Sequence, residues 1–144
     1  MEVIVDTREQ LPYWTDCHRE ALHVGDYTTV ALKGKFHVER KSLADLYGTL
    51  TKGNGRFKYE LFRAAYSGTH LEVYVEGSRD QFINKIFPKG NERKFSTHGL
   101  DALVNTFEKK YHLRFNWCMS RLKCKKSVKI RLEMEEKKLK NKSK

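Results

Sequence analysis

Residues 24–41, V-G-D-Y-T-T-V-A-L-K-G-K-F-H-V-E-R-K, constrain the fold more than any other stretch of this sequence. Two short runs of alternating apolar and polar residues, 27–32 and 36–38, flank Lys33-Gly34-Lys35, the pattern of a β-hairpin. Successive side chains of a strand point to opposite faces at about 3.3 Å per residue, so Glu39 and Lys41 share a face roughly 7 Å apart, and Arg40 takes the other. Asp26 stands at the mouth of the first strand. Two carboxylates and an amine therefore converge on one edge of a sheet. A hard ion such as Mg²⁺ can use that set, because it binds oxygen at about 2.0–2.1 Å and usually takes only one or two carboxylates, leaving places for water and phosphate. On this reading Asp26 and Glu39 hold the ion. Lys41 orients or deprotonates the attacking water, or offsets charge on the phosphate.

Asp26, followed thirteen positions later by Glu39-Arg40-Lys41, has the general D...(D/E)xK form of restriction-endonuclease-like nucleases. The run around it is more specific. Gly25-Asp26-Tyr27, then Val38-Glu39-Arg40-Lys41-Ser42 and Asp45-Leu46, resembles the G-D...E-R-K-x-x-x-D signature of the XPF family of structure-specific DNA endonucleases. Val5-Asp6-Thr7-Arg8-Glu9 is similar to that family's V-D-x-R-E first strand. Gly55-Arg56-Phe57 and Leu71-Glu72-Val73-Tyr74-Val75-Glu76-Gly77 are similar to its following helix and third core strand. The likeness extends over residues 2–135.

The resemblance implies an α/β fold, a restriction-endonuclease-like three-layer sandwich with a central mixed β-sheet flanked by helices. It implies a Mg²⁺-dependent endonuclease, Mn²⁺ substituting, that cuts branched or distorted DNA such as flaps, forks or junctions. Its site would comprise Asp6, Arg8, Glu9, Asp26, Glu39, Arg40 and Lys41. Of these, Asp26, Glu39 and Glu9 would contact metal, Asp6 and Glu9 holding a ligand water or second ion, while Arg8 and Arg40 steady phosphates or carboxylates. Two other readings stand beside it. One is a catalytically idle nuclease fold serving as a DNA-binding or dimerisation partner, against which the retained Asp26, Glu39 and Lys41 count. The other is a repair or restriction-type nuclease of the same fold without branch specificity. Family members usually carry a helix-hairpin-helix module after the nuclease domain, and this chain is expected to end where that module begins. DNA grip would then come from a homodimer aided by the basic tail, or from a partner subunit that carries the module.

Bulk properties agree with a nucleic-acid partner. A formal net charge of +11 and a pI near 9.6 favour a polyanion. No run of 18 apolar residues marks a membrane span, and Met1-Glu2-Val3 lacks the basic start of a signal peptide. Cys17, Cys118 and Cys124, odd in number and irregular in spacing, suit free thiols better than disulfides or zinc. These features point to an intracellular protein, cytoplasmic or nuclear by host. The 144 residues suit one nuclease domain over 1–140 and a frayed basic tail over 141–144.

Along the chain, residues 3–6 read as a buried strand and 10–23 as a loop. Ser42 and Asp45 form an S-x-x-D capping pattern, so Asp45 serves either as a cap or as a metal contact. A helix over 56–67 buries Phe57, Leu61, Ala64 and Ala65, while Arg56, Glu60 and Arg63 share another stripe; the two arginines suit phosphate contacts or plain solvation. Residues 80–87 suggest a short helix, 88–91 a turn, and Glu92-Arg93-Lys94 a basic loop that only imitates the E-R-K motif. A helix over 97–111 and a strand over 113–117 follow. From Ser120 the chain is helical and carries eleven basic residues against three acidic ones. Arg121, Lys123, Lys125 and Lys126 are candidate DNA contacts there, although such a tail also serves solubility.

Overall fold

Strands β1 (Val3–Asp6), β2 (His18–Glu20), β3 (Tyr27–Thr29), β4 (Phe36–Ser42), β5 (His70–Glu76) and β6 (Phe115–Cys118) form one mixed sheet. Their spatial order is β2-β1-β3-β4-β5-β6. The computed structural model describes residues 1–87 and 95–142, so the turn at 88–91 and the second E-R-K at 92–94 lie outside the described residues. Helices α1 (Leu43–Leu50) and α2 (Asn54–Ser67) connect β4 to β5; α3 (Arg79–Ile83) and α4 (Thr97–Tyr111) connect β5 to β6. β4, β5 and β6 are parallel. Crossovers between parallel strands share one hand, and both steps here run the same way across the sheet, so all four helices fall on one face. There Leu46, Leu50, Phe57, Leu61, Leu100, Val104 and Phe107 close over Leu71, Val73, Val75 and Phe115. Helix α5 (Arg121–Lys142) covers the opposite face, setting Cys124, Val128 and Leu132 at four-residue intervals against Val5, Tyr27, Val38 and Tyr74. The result is the expected three-layer sandwich.

The hairpin pairs Tyr27 with Val38, but its first strand stops at Thr29 rather than running to 32. The chain turns there because the Thr28 hydroxyl donates to the Phe36 carbonyl at 2.7 Å, and the amides of Lys35 and Phe36 both donate to the Leu32 carbonyl. Within the predicted loop 10–23 lies β2, an edge strand parallel to β1. Its His18-Arg19-Glu20 lacks apolar alternation, because it is held by backbone pairing and by Arg19 donating to the carbonyls of Thr7 and Glu9.

Ser42, Ser78 and Ser96 cap α1, α3 and α4 with their hydroxyls, Ser78 in a reciprocal box with Gln81. Helix α3 is shorter than 80–87, ending at the Asn84 cap. Helix α5 continues through Asn141 and Lys142, beyond the expected fraying point, with Glu135 bridging Arg131 at 2.7 Å and Lys138 at 3.3 Å. No helix among the described residues is long and apolar enough to cross a membrane.

Candidate active site

Gly25 brings Asp26 against β4. Its φ is +75°, and a Cβ there would stand 3.0 Å from the Val38 carbonyl oxygen, so only glycine fits. The Asp26 amide donates to that same carbonyl at 2.8 Å. The carboxylate then accepts the Arg40 amide at 2.7 Å, extending the β3–β4 ladder with a side chain. Buried His37 braces the turn: Nε2 accepts the Gly34 amide at 2.9 Å, leaving Nδ1 to donate to the Val24 carbonyl at 2.7 Å. Burial holds its pKa down, which keeps this neutral tautomer.

Glu39 and Lys41 project from β4 toward α1 and α2, as strand alternation requires, with Lys41 Nζ 3.3 Å from Glu39 Oε2. Glu39 is buried, and Oε2 accepts no hydrogen bond. Burial drives its pKa well up; Lys41 opposes this, while Glu60 and Asp26 add to it. Burial also raises Asp26, to about 7, with the Arg40 amide opposing and Glu9 reinforcing. Burial would lower Lys41, but Glu39, Glu60 and Asp26 outweigh it and hold the ammonium above its ordinary value.

The sequence reading missed Glu60 as a site residue. It extends from α2 to accept the Gly25 amide at 3.3 Å. With Lys41, Asp45 and Arg56 it lines a cleft of about 430 Å³. The available signal was its place beside the buried stripe, one turn after Arg56.

These donors fit a hard divalent cation. They are carboxylate oxygens, and Glu39 Oε2, buried beside the Lys41 ammonium without a well-aligned hydrogen bond, keeps lone-pair capacity that such an ion would take. No group of three or more His, Cys, Asp or Glu among the described residues is gathered closely enough to hold an ion alone. An ion here would lean on two carboxylates plus water or phosphate, which is the habit of Mg²⁺.

Several predicted site residues lie elsewhere. Glu9, expected to contact metal, is turned to the α5 side of the sheet, where its oxygens accept Arg40 Nε at 3.0 Å and Nη2 at 3.2 Å. Arg40 also donates to Glu76 at 2.9 Å, and Tyr13 donates to Glu76 at 2.6 Å. Arg40 thus ties β4 to β5 and to the loop after β1, rather than pointing to solvent or to the cleft. Asp6, expected near a ligand water, is a turn clamp: it accepts the Leu22 amide at 2.7 Å and the Arg8 amide and guanidinium. Burial raises its pKa, but Arg8 and the Leu22 amide outweigh that and hold it below the usual range. Arg8 also donates to the Leu22 carbonyl at 2.7 Å, so its partners here are protein groups.

Among the candidate DNA contacts, Arg56 lines the cleft, while Arg63 donates to the His23 carbonyl and sits over the Tyr59 ring. Arg121 is engaged, donating to the carbonyls of Leu11 and Pro12 and stacking over Tyr13. Lys123 and Lys126 are exposed and Lys125 half-buried on α5, in the layer across the sheet from the cleft. Asp45 is exposed at the cleft, its amide capped by Ser42.

A mixed sheet in a three-layer sandwich, with Asp26, Glu39 and Lys41 gathered beside a cleft, is the arrangement expected from the D...(D/E)xK resemblance. Residues 5–132 match the ERCC4 domain, and the chain belongs to that family. Among solved structures it is similar to XPF from Aeropyrum pernix, with 19% identity and a TM-score of 0.71 over 98% of this chain and 68% of that one. It is likewise similar to XPF from Aeropyrum pernix in complex with DNA, with 21% identity and a TM-score of 0.70 over 94% of this chain and 65% of that one. The chain therefore spans about two thirds of the length of these structures. No curated protein matches it in sequence. Family and fold together support a nuclease domain that acts on DNA.

Proposed function

We propose that this domain is a divalent-metal-dependent endonuclease, served by Mg²⁺ or Mn²⁺, that hydrolyses phosphodiester bonds in branched or distorted DNA. The observation that carries this reading is the buried Glu39 carboxylate paired with Lys41 at 3.3 Å, with Asp26 close by, where Lys41 lines an open cleft. Asp26 and Glu39 would hold the ion, with Glu60 the nearest further carboxylate. When bound, the ion supplies charge stabilisation at the phosphate and a more acidic water. Lys41, held protonated by three carboxylates, offsets negative charge on the phosphate and favours the charged form of Glu39 against its burial. Arg56, on the cleft wall, contacts a flanking phosphate. Lys123, Lys125 and Lys126 take a DNA arm that leaves the cleft around the sheet, and a second subunit, identical or not, extends the grip.

Branch preference has a physical motive. Unpaired or bent DNA has already met part of a deformation cost on the order of a few kcal/mol, so its scissile phosphate enters a recessed site more readily. The test is cleavage of linear duplex, single strand, flap, fork and four-way junction in Mg²⁺. Preferential cutting of a branched form is expected. Equal cutting of every form would remove branch specificity, and no cutting in Mg²⁺ or Mn²⁺ would favour an idle, DNA-binding role.

A further inference from the structure

Helix α2 carries a feature that the cleft does not use. Tyr59, Phe62 and Tyr66 are 63%, 62% and 85% exposed, and no other Phe, Tyr or Trp among the described residues is as open to solvent. At about 100° per residue the three fall within roughly 60° of one another, directly opposite the buried stripe of the helix. They form one ridge, in which Phe62 and Tyr66 stack with centroids 6.0 Å apart and the Arg63 guanidinium lies 5.2 Å over Tyr59. The same wheel sets Arg56 and Arg63 along one flank and Lys58 along the other, so the ridge runs between cations. Its cleft-side flank is continuous with the site, because Arg56 lines the cleft.

We infer that this ridge is a stacking platform for the unpaired bases of a DNA strand next to the cleft. Aromatic faces accept any base by stacking, and flanking cations track the phosphates, the combination used to bind single strands without sequence preference. The positive flanks match that ligand in charge, whereas a second copy of this chain, at +11, would oppose them with like charge. An unpaired arm held on α2 would lead along its flank toward Arg56 and Lys41. The inference deepens the nuclease reading and rests on it for the strand's destination.

The experiment is fluorescence anisotropy in EDTA, so that binding is read without cleavage. Labelled oligothymidylate, blunt duplex and a fork with unpaired arms are titrated with wild type and with Y59A/F62A/Y66A. Alanine favours the helix, and circular dichroism verifies that the variant folds. Oligothymidylate affinity should fall about tenfold for each ring engaged, and the fork should weaken too, while duplex affinity holds. Unchanged oligothymidylate binding, or an equal fall for duplex and single strand, would overturn the platform. So would loss of self-association in sedimentation with DNA affinity intact, which would make the ridge the seat of a second copy. If wild type binds none of the three DNAs, the nucleic-acid reading itself fails, a result distinct from failure of the ridge.

Discussion

Replacing Arg40 by Met should destabilise the fold by about 3–5 kcal/mol, the usual loss when one partner of a buried ion pair is removed. Side-chain exposure is only 12% for Arg40, 6% for Glu9 and 11% for Glu76, so water cannot take over from the guanidinium. Three N–H donations, at 3.0, 3.2 and 2.9 Å, disappear together. Glu76 keeps the Tyr13 hydroxyl at 2.6 Å and the Arg121 guanidinium at 3.5 Å, but Glu9 keeps only long contacts, from the Tyr27 hydroxyl and the Leu11 amide at 3.4 Å each. Glu9 is therefore the carboxylate left most exposed to its own desolvation cost. Urea unfolding followed by tryptophan fluorescence reads the change, since Trp14 packs against this cluster. With a denaturant slope of about 2 kcal/mol/M, the midpoint should drop by about 1.5–2.5 M. The triple variant R40M/E9Q/E76Q should recover most of that loss, because no buried charge is then stranded. A single-variant loss under about 1 kcal/mol, well below the buried-pair range, would contradict this bridging role and return Arg40 to the phosphate-contact role suggested by its place in the E-R-K motif.

Lys41→Ala should lower turnover in Mg²⁺ by about 10²-fold or more while metal affinity by calorimetry changes little, since the ammonium neighbours the ion without ligating it; undiminished turnover would contradict its role. Asp26, raised to about 7 from 3.8, holds its proton more tightly folded than unfolded. The metal-free protein should therefore lose stability as pH rises between about 4 and 7, and D26N should make that dependence shallower. Urea midpoints in EDTA across this window check it, and an identical slope in the variant would be evidence against the buried-carboxyl assignment.

The fold was legible wherever a period or a cap spoke for itself. The buried stripes of α2 and α4 repeat at helical spacing, although Ala65, expected in the first, is exposed; serines precede α1, α3 and α4, and β4 alternates cleanly enough to place Glu39 and Lys41 on one face and Arg40 on the other. β2 was illegible because an edge strand made of His18-Arg19-Glu20 has no apolar side to read. At the site, motif order and strand alternation anticipated that Asp26, Glu39 and Lys41 would be neighbours. It could not say that Glu9 and Arg40 pair on the far side of the sheet, since a run such as V-D-x-R-E reports neighbours in sequence and not the face that the loop after β1 turns toward. Glu60 escaped for the converse reason: it comes from α2, and only tertiary packing brings it to Gly25. The charge of α5 was visible in the sequence, but not that α5 packs across the sheet from the cleft.

In the proposed mechanism Asp26, Glu39 and Lys41 form a hydrolytic metal centre. The most direct measurement compares wild type, D26N and E39Q on a cleavable branched DNA in Mg²⁺ and in EDTA, with metal binding followed by calorimetry and DNA binding by anisotropy. Cutting by wild type in Mg²⁺ alone is predicted, lost in both variants together with metal binding, while both still bind DNA through the basic surface. Cutting by D26N or E39Q at the wild-type rate, or wild-type cutting that survives EDTA, would rule out a metal centre on these residues.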